Sequence, residues 1–211
     1  LPSGRRAQDP QINDNGYVVW SSDKEERDCS YYGGCAIDVY LYDGTNTTNL
    51  TLSMGGTGNT KPQINNNGDV VWQQRQDVLL FNGAVITNLT NTREKLDPSI
   101  YDIIKSLDPQ INDSGHVVWR EEYGFYSAGW TLVSDVYLYD GAGTTNITNN
   151  PSRTYGYNDI SNLQINNSGQ VVWDLESVGQ SSGSHVYDAY IYDGADVTCI
   201  TNKLCGSRNH T

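Results

Sequence analysis

The stretch QINDNGYVVW, Gln11 to Trp20, returns as QINNNGDVVW at Gln63 to Trp72, as QINDSGHVVW at Gln110 to Trp119 and as QINNSGQVVW at Gln164 to Trp173. Every copy joins a Gln-Ile-Asn run to a Val-Val-Trp run through a polar turn that ends in Gly. Asn and Asp tolerate positive φ and Gly adopts it freely, as a tight hairpin turn requires. The copies begin about 50 residues apart, a spacing found among propeller repeats, so the chain reads first as a tandem array.

Downstream of each copy lies a second alternating run: DVYLYDG at Asp38 to Gly44, DVLLFNG at Asp77 to Gly83, DVYLYDG at Asp135 to Gly141 and DAYIYDG at Asp188 to Gly194. A short final run follows, ending TTNLT at Thr51, ITNLT at Thr90, TTNIT at Thr148 and VTCIT at Thr201. Each repeat is therefore expected to form four antiparallel strands, a to d. Val18 and Trp20 point to one side of strand b and Val19 to the other, while Val39 and Leu41 oppose Tyr40 and Tyr42 in strand c. A sheet that is apolar on both faces needs cover on both, which radial stacking of blades supplies.

The expected fold is thus all-β and β-propeller-like, with four repeats of a four-stranded antiparallel blade, either closed or an open blade stack. A lead-in segment covers 1–9. One domain covers 10–201, divided into repeats at about 10–61, 62–108, 109–162 and 163–201, and a tail covers 202–211. A start at Leu1 is the expectation for a mature or trimmed product.

The chain has 211 residues, a formal net charge of −12 and 36% hydrophobic residues. That charge repels nucleic acid and acidic membrane surfaces, and no apolar run reaches the roughly 20 residues of a membrane-spanning helix. Cys29 with Cys35 and Cys199 with Cys205 form two C-x5-C pairs, read as local disulfides in an oxidising compartment, although a bridge between the two pairs is an alternative.

The connections after strand b and after strand d vary in length and fall at one end of the array. Loops of this kind carry recognition on a rigid scaffold. They hold Tyr31, Tyr32, Tyr123, Phe125, Tyr126, Trp130, Tyr155 and Tyr157, the candidate binding residues, with Trp130 foremost. Glycosylation sequons stand at Asn49, Asn88 and Asn146, in one repeated position, and also at Asn46, Asn112, Asn166 and Asn209. Asn13 to Gly16 echoes a calcium loop but lacks the bidentate Glu, so a turn is the reading and no metal site or cofactor is expected. His116, His185 and His210 sit in no recognisable catalytic spacing, and Asp43, Asp140 and Asp193 precede Gly as turn formers. The chain is accordingly expected not to be an enzyme.

The full repeat, Pro-x-Ile-Asn-polar-polar-Gly-x-Val-Val-Trp, then Asp-Val-Tyr-Leu-Tyr-Asp-Gly, then Thr-Asn-Leu-Thr, resembles the TolB-type β-propeller repeat. It is also similar to repeat arrays of secreted bacterial surface proteins, including those with PEP-CTERM sorting signals. It departs in its Asn-based turn, in Leu163 where the other copies have Pro, and in its small number of repeats. The expected function is a secreted, non-catalytic structural or interaction module at the cell surface, a self-assembling extracellular glycoprotein unit whose partners are its own copies or another extracellular protein. The alternatives are a glycan-binding lectin using the aromatic loops, and an enzyme with unrecognised residues.

Overall fold

The computed structural model describes residues 6–23, 37–54, 58–92, 103–125, 131–148, 158–178 and 185–201. Sixteen strands lie within them, in four successive units of four. The first unit is β1 (Ala7–Ile12), β2 (Val18–Asp23), β3 (Ile37–Tyr42) and β4 (Thr47–Asn49). The second is β5 (Asn59–Ile64), β6 (Val70–Gln74), β7 (Asp77–Phe81) and β8 (Ile86–Asn88). The third is β9 (Ile103–Ile111), β10 (Val117–Phe125), β11 (Thr131–Tyr139) and β12 (Thr144–Asn146). The fourth is β13 (Asn158–Ile165), β14 (Val171–Val178), β15 (His185–Tyr192) and β16 (Val197–Cys199).

Within each unit the strands pair in sequence order and antiparallel. The third and fourth units differ from four independent blades, because a parallel pairing of Val133 with Asn158 joins them into one eight-stranded sheet. The reason lies in strand length. The stretches after Trp119 and Trp173, expected to be loops, continue as strand to Phe125 and Val178, and return from Thr131 and His185. Burial alternates along β10, at Glu121 and Tyr123, and is continuous along β11 from Val133 to Val136.

The first strands of successive units lie against one another, whereas the fourth strands make their substantial contacts within their own unit, so the array fans out from its first strands. A bulge interrupts every first strand at the same place, between Gln8 and Gln11, between Thr60 and Gln63, between Val118 and its partners on β9, and between Ser161 and Gln164. The bulged residues Asp9, Lys61, Asp108 and Asn162 all take left-handed backbone, with φ of 51°, 52°, 54° and 53°. Three are followed by Pro, which has no N–H to give to the ladder and is tolerated at a bulge.

Three apolar joints hold the units together, and each is built the same way. Val19 and Val39, with Leu41 and Leu50, meet Val70, Trp72 and Leu79, with Ile64 and Phe81. Val71 and Val78, with Leu80 and Leu89, meet Val117 and Trp119, with Ile111, Tyr137 and Tyr139. Val118, Val136 and Ile147 meet Leu163, Val171 and Trp173, with Ile165, Tyr190 and Tyr192. One unit supplies the second Val of Val-Val-Trp and the aliphatic residues of its third strand. The next supplies the first Val, the Trp and the residue opposite it, which in three units is a stacked Tyr at ring separations of 5.6, 5.9 and 5.9 Å. Each joint is thus asymmetric, with a tail half and a head half.

The Thr that ends each final run, preceded by Asn-x in three units and by Cys199-Ile200 in the fourth, has a structural role inside its unit. Thr51, Thr90, Thr148 and Thr201 donate their hydroxyls to Asp38, Asp77, Asp135 and Asp188 at 3.0, 2.9, 2.8 and 2.7 Å. The same hydroxyls accept the backbone N–H of Val39, Val78, Val136 and Ala189. Asn49 and Asn146 donate Nδ2 to Asp38 and Asp135 at 2.8 and 3.0 Å. The mostly buried Asp is satisfied by partners that recur in sequence, as burial of a carboxylate demands.

Candidate functional site

Three features of the described residues are candidates: the row of turns that clamps the units, the polar cavity beside the first strands, and the two end faces of the array.

In each turn the Asn side chain closes its own loop. Asn65 Oδ1 accepts from the backbone N–H of Asn67 and Asp69 at 3.0 and 2.9 Å, and Asn13, Asn112 and Asn166 repeat the pattern. Gly68 at φ +85° completes the turn. The Nδ2 group then reaches across the joint: Asn13 donates to the Asn65 carbonyl at 2.9 Å, Asn65 to that of Asn112 at 3.0 Å, and Asn112 to that of Asn166 at 3.0 Å. The following residue makes a second row, Asp14, Asn66, Asp113, Asn167, alternating carboxylate and amide. Backbone N–H groups of Asp14, Asn66 and Asp113 donate to the next residue's Oδ1 at 2.9, 2.8 and 3.0 Å. Asn66 Nδ2 donates to the carboxylates on both sides, at 2.8 Å to Asp14 and 3.1 Å to Asp113. The calcium-loop echo is therefore a turn and a clamp, and no group of His, Cys, Asp and Glu able to hold a metal occurs among the described residues.

At the bulges, charge alternates along the first strands: Asp9, Lys61, Asp108, then neutral Asn162. The Lys61 ammonium pairs with Asp108. Arg120 donates Nε to Asp108 at 2.7 Å and Nη1 to Asp159 at 2.9 Å, and also pairs with Glu122. Burial favours loss of the Arg120 proton, but these three carboxylates outweigh it and hold the guanidinium above its ordinary value. Burial likewise pushes Asp108 upward and is overcome by Lys61 and Arg120, which hold its carboxyl below the usual range. Beside this network lies a cavity of about 550 Å³ lined by Asp108, Gln110, Arg120, Asp159, Asn162 and Gln164 among others. Sequence reasoning passed over this cluster. Its signal was Arg120, standing where the other repeats have Ser21, Gln73 and Asp174.

Of the expected binding aromatics, Tyr31, Tyr32, Tyr126, Trp130, Tyr155 and Tyr157 lie outside the described residues, and Phe125 ends β10. Tyr123 is a correction: it is 3% exposed, inside the extended strand, and no loop presents it. Its hydroxyl donates to Glu121 at 2.8 Å and lies 2.7 Å from that of Tyr137; burial, and then Glu121, push the phenol well above its ordinary value.

Among the sequons, Asn49 and Asn146 are half-buried with Nδ2 engaged on Asp38 and Asp135, whereas Asn46, Asn88 and Asn166 are exposed. Asn112 is buried and gives its Nδ2 to the Asn166 carbonyl, so its reading as a glycan acceptor is corrected: the atom that would carry the sugar is spent inside a joint. Asn209 lies outside the described residues. Cys199 is disulfide-bonded, while Cys29, Cys35 and Cys205 lie outside the described residues.

The end faces are the two unused halves of the joint. On the first unit, Ile12 is 70% and Tyr42 36% exposed, and Val18, Trp20 and Tyr40 are only partly covered. Their counterparts Trp72 and Leu79 in the second unit are 0% and 2% exposed. On the fourth unit, Ile200 is 57% exposed and Val172, Ala189 and Ile191 are partly covered, where Val19 and Val39 in the first joint are fully buried. Among the described residues the array is open, and both ends show apolar sheet.

No family model matches the chain, and no curated protein matches it. Among solved structures, it is similar to the acylaminoacyl peptidase of Pyrococcus horikoshii, with a TM-score of 0.55 and 12% identity over 96% of this chain and 28% of the peptidase. A Hadza microbial sialidase aligns with a TM-score of 0.47 and 9% identity over 92% of this chain and 46% of that one. The endo-arabinase of Bacteroides thetaiotaomicron aligns with a TM-score of 0.37 and 11% identity over 90% and 76%. The chain thus spans just over a quarter of the peptidase's length, and the likeness is one of fold: all-β and β-propeller-type. It corrects one expectation. The peptidase is an enzyme, so the absence of a recognisable catalytic spacing is no ground for calling the chain non-enzymatic; at 12% identity the likeness assigns it no reaction either.

Proposed function

We propose that the chain is an extracellular interaction module of β-propeller type, its repeat of the TolB kind, whose docking surfaces are the two end faces of the array. One observation carries this reading: the exposed faces are made of the positions that pack at the three internal joints, where the counterparts of Val18, Trp20, Val172 and Ala189 are buried and those of Ile12, Tyr42, Ile191 and Ile200 lie against that core. A monomer rarely leaves contiguous apolar sheet of this kind uncovered. An exposed sheet end is a liability unless something occupies it. The disulfide at Cys199 supports an oxidising compartment.

The test is size-exclusion chromatography of the chain as its own cells secrete it. Native chain should elute within a complex, and Ile12→Asp or Ile200→Asp should release it at the position of a free 23.4 kDa protein. Complexes indifferent to both substitutions would refute end-face docking.

The polar cavity favours a second reading, binding of a neutral saccharide. Asp108, Asp159, Gln110, Asn162 and Gln164 offer acceptors and donors suited to sugar hydroxyls, in a site of ligand size. Calorimetric titration with mono- and oligosaccharides tests it, and no heat with any of them would remove it.

A further inference from the structure

We propose that a second copy of the chain covers both end faces at once, head to tail and tail to head, so that two chains of four units close into a ring of eight. This rests on the end-face reading above and names the partner.

The joint is asymmetric, so a copy that offers its head to the tail of another leaves the same pair of surfaces free at the far side. Such heterologous contacts either close into a ring or run on as a filament. Propellers close with about four to eight blades. Two copies of this chain supply eight units, which that range accommodates, while the single chain leaves its two end faces apart.

The turn rows specify the register of this contact. Asp14, Asn66, Asp113 and Asn167 alternate carboxylate and amide across all three joints, and an even number of units leaves an amide at the tail and a carboxylate at the head. Asn66 shows the complete pattern: its N–H donates to Asp113 at 2.8 Å, and its Nδ2 to Asp113 and Asp14. Asn167 has the half within its own array, donating Nδ2 to Asp113 at 2.7 Å. Asp14 of a second copy would stand where that row requires the next carboxylate, to take the Asn167 N–H. The Asn row is interrupted at the same place. Asn13, Asn65 and Asn112 each donate Nδ2 to the next unit's carbonyl, while Asn166 turns back to Gln170 of its own unit at 2.9 Å. The Asn13 carbonyl of a second copy completes that row as well. Apolar halves, Asp–Asn alternation and the Asn clamp thus all predict one and the same neighbour, the head of this same chain.

The experiment uses full chains carrying Cys at exposed turn positions, Asn15→Cys, which gives up the 2.7 Å bond from Asn15 to the Asn66 carbonyl but leaves both rows intact, and Ser168→Cys, with a short bismaleimide. A mixture of the two single variants should cross-link to twice 23.4 kDa, neither variant should do so alone, and the double variant should give a doubly linked dimer of that mass. A double variant linked at the mass of one chain would mean that four units close on themselves. A ladder of masses above the dimer would mean an open filament. Either result overturns the ring; the ladder leaves docking between end faces of different chains standing, whereas self-closure overturns that reading as well. The absence of any cross-link, with sedimentation at the single-chain mass unchanged by Ile12→Asp, would overturn both.

Discussion

Asn65→Ala is the sharpest probe of how the units are held together. Asn65 is buried and makes four side-chain hydrogen bonds: it accepts from Asn67 and Asp69 N–H and donates to the Asn112 carbonyl and, at 2.8 Å, to the Asp69 carboxylate. A hydrogen bond contributes a net of about 1 kcal/mol, and a buried partner left unsatisfied costs about 1–3 kcal/mol. Water can reach Asn67 but not the Asn112 carbonyl, so the loss should come to about 3 kcal/mol. For a chain of this size that lowers the melting temperature by roughly 6–12 °C. Asn166→Ala serves as the control. Compared in the Ile200→Asp chain, where a second copy is released, it deletes the same pair of turn bonds and one to Gln170 at a site exposed within its own chain. Solvent replaces most of what is lost, and the cost should be about 1 kcal/mol. Urea unfolding followed by tryptophan fluorescence gives both values. Equal costs for the two variants would refute the claim that these Asn side chains act across the joints and not only within their turns.

Further outcomes follow from the polar networks. Arg120→Gln leaves Asp108, Glu122 and Asp159 facing one another without their shared guanidinium, and should cost about 3 kcal/mol in unfolding experiments, partly recovered in high salt; Arg120→Lys, unable to fork between them, should recover little. At Asp77, burial raises the carboxyl's affinity for its proton, but the Thr92 N–H and hydroxyl, Thr90 and Asn88 outweigh it, so the folded pKa lies below the unfolded one. The stability this contributes is present above the unfolded value near pH 4 and is lost as pH falls through the folded one. Thr90→Val should therefore lower stability by about 2 kcal/mol at neutral pH and flatten the acid limb of the stability curve; an unchanged acid limb would count against this account of Asp77. Gly68→Ala meets only the Tyr17 ring at 3.7 Å, so its expected cost of about 1 kcal/mol comes from the backbone at φ +85°, measurable in the same unfolding assay.

What could be read in the sequence was what is local. Turn chemistry is carried by consecutive residues, so Asn13 to Gly16 and its copies gave the hairpins, and period-two alternation gave the strand faces. Strand length after Trp119 is not legible locally, because Glu121 and Glu122 look like loop residues, although Glu121 is buried and paired in register with Asp135. The recurring Asn65 and Asn66 were read as turn formers. Their second role, across the joint, links residues about 50 positions apart, and only packing reveals it. The same holds for Arg120, whose three carboxylates come from β9, β10 and β13. The Asn-x-Thr runs gave the opposite difficulty: a pattern that reads as a modification signal is also the local requirement of a buried Asp.

The most direct test of the account is the mass of the native chain in solution, by light scattering across micromolar concentrations at physiological salt. A single species at twice 23.4 kDa is the expected result, with Ile12→Asp and Ile200→Asp reducing it to one chain. A native chain that remains at 23.4 kDa throughout would contradict it.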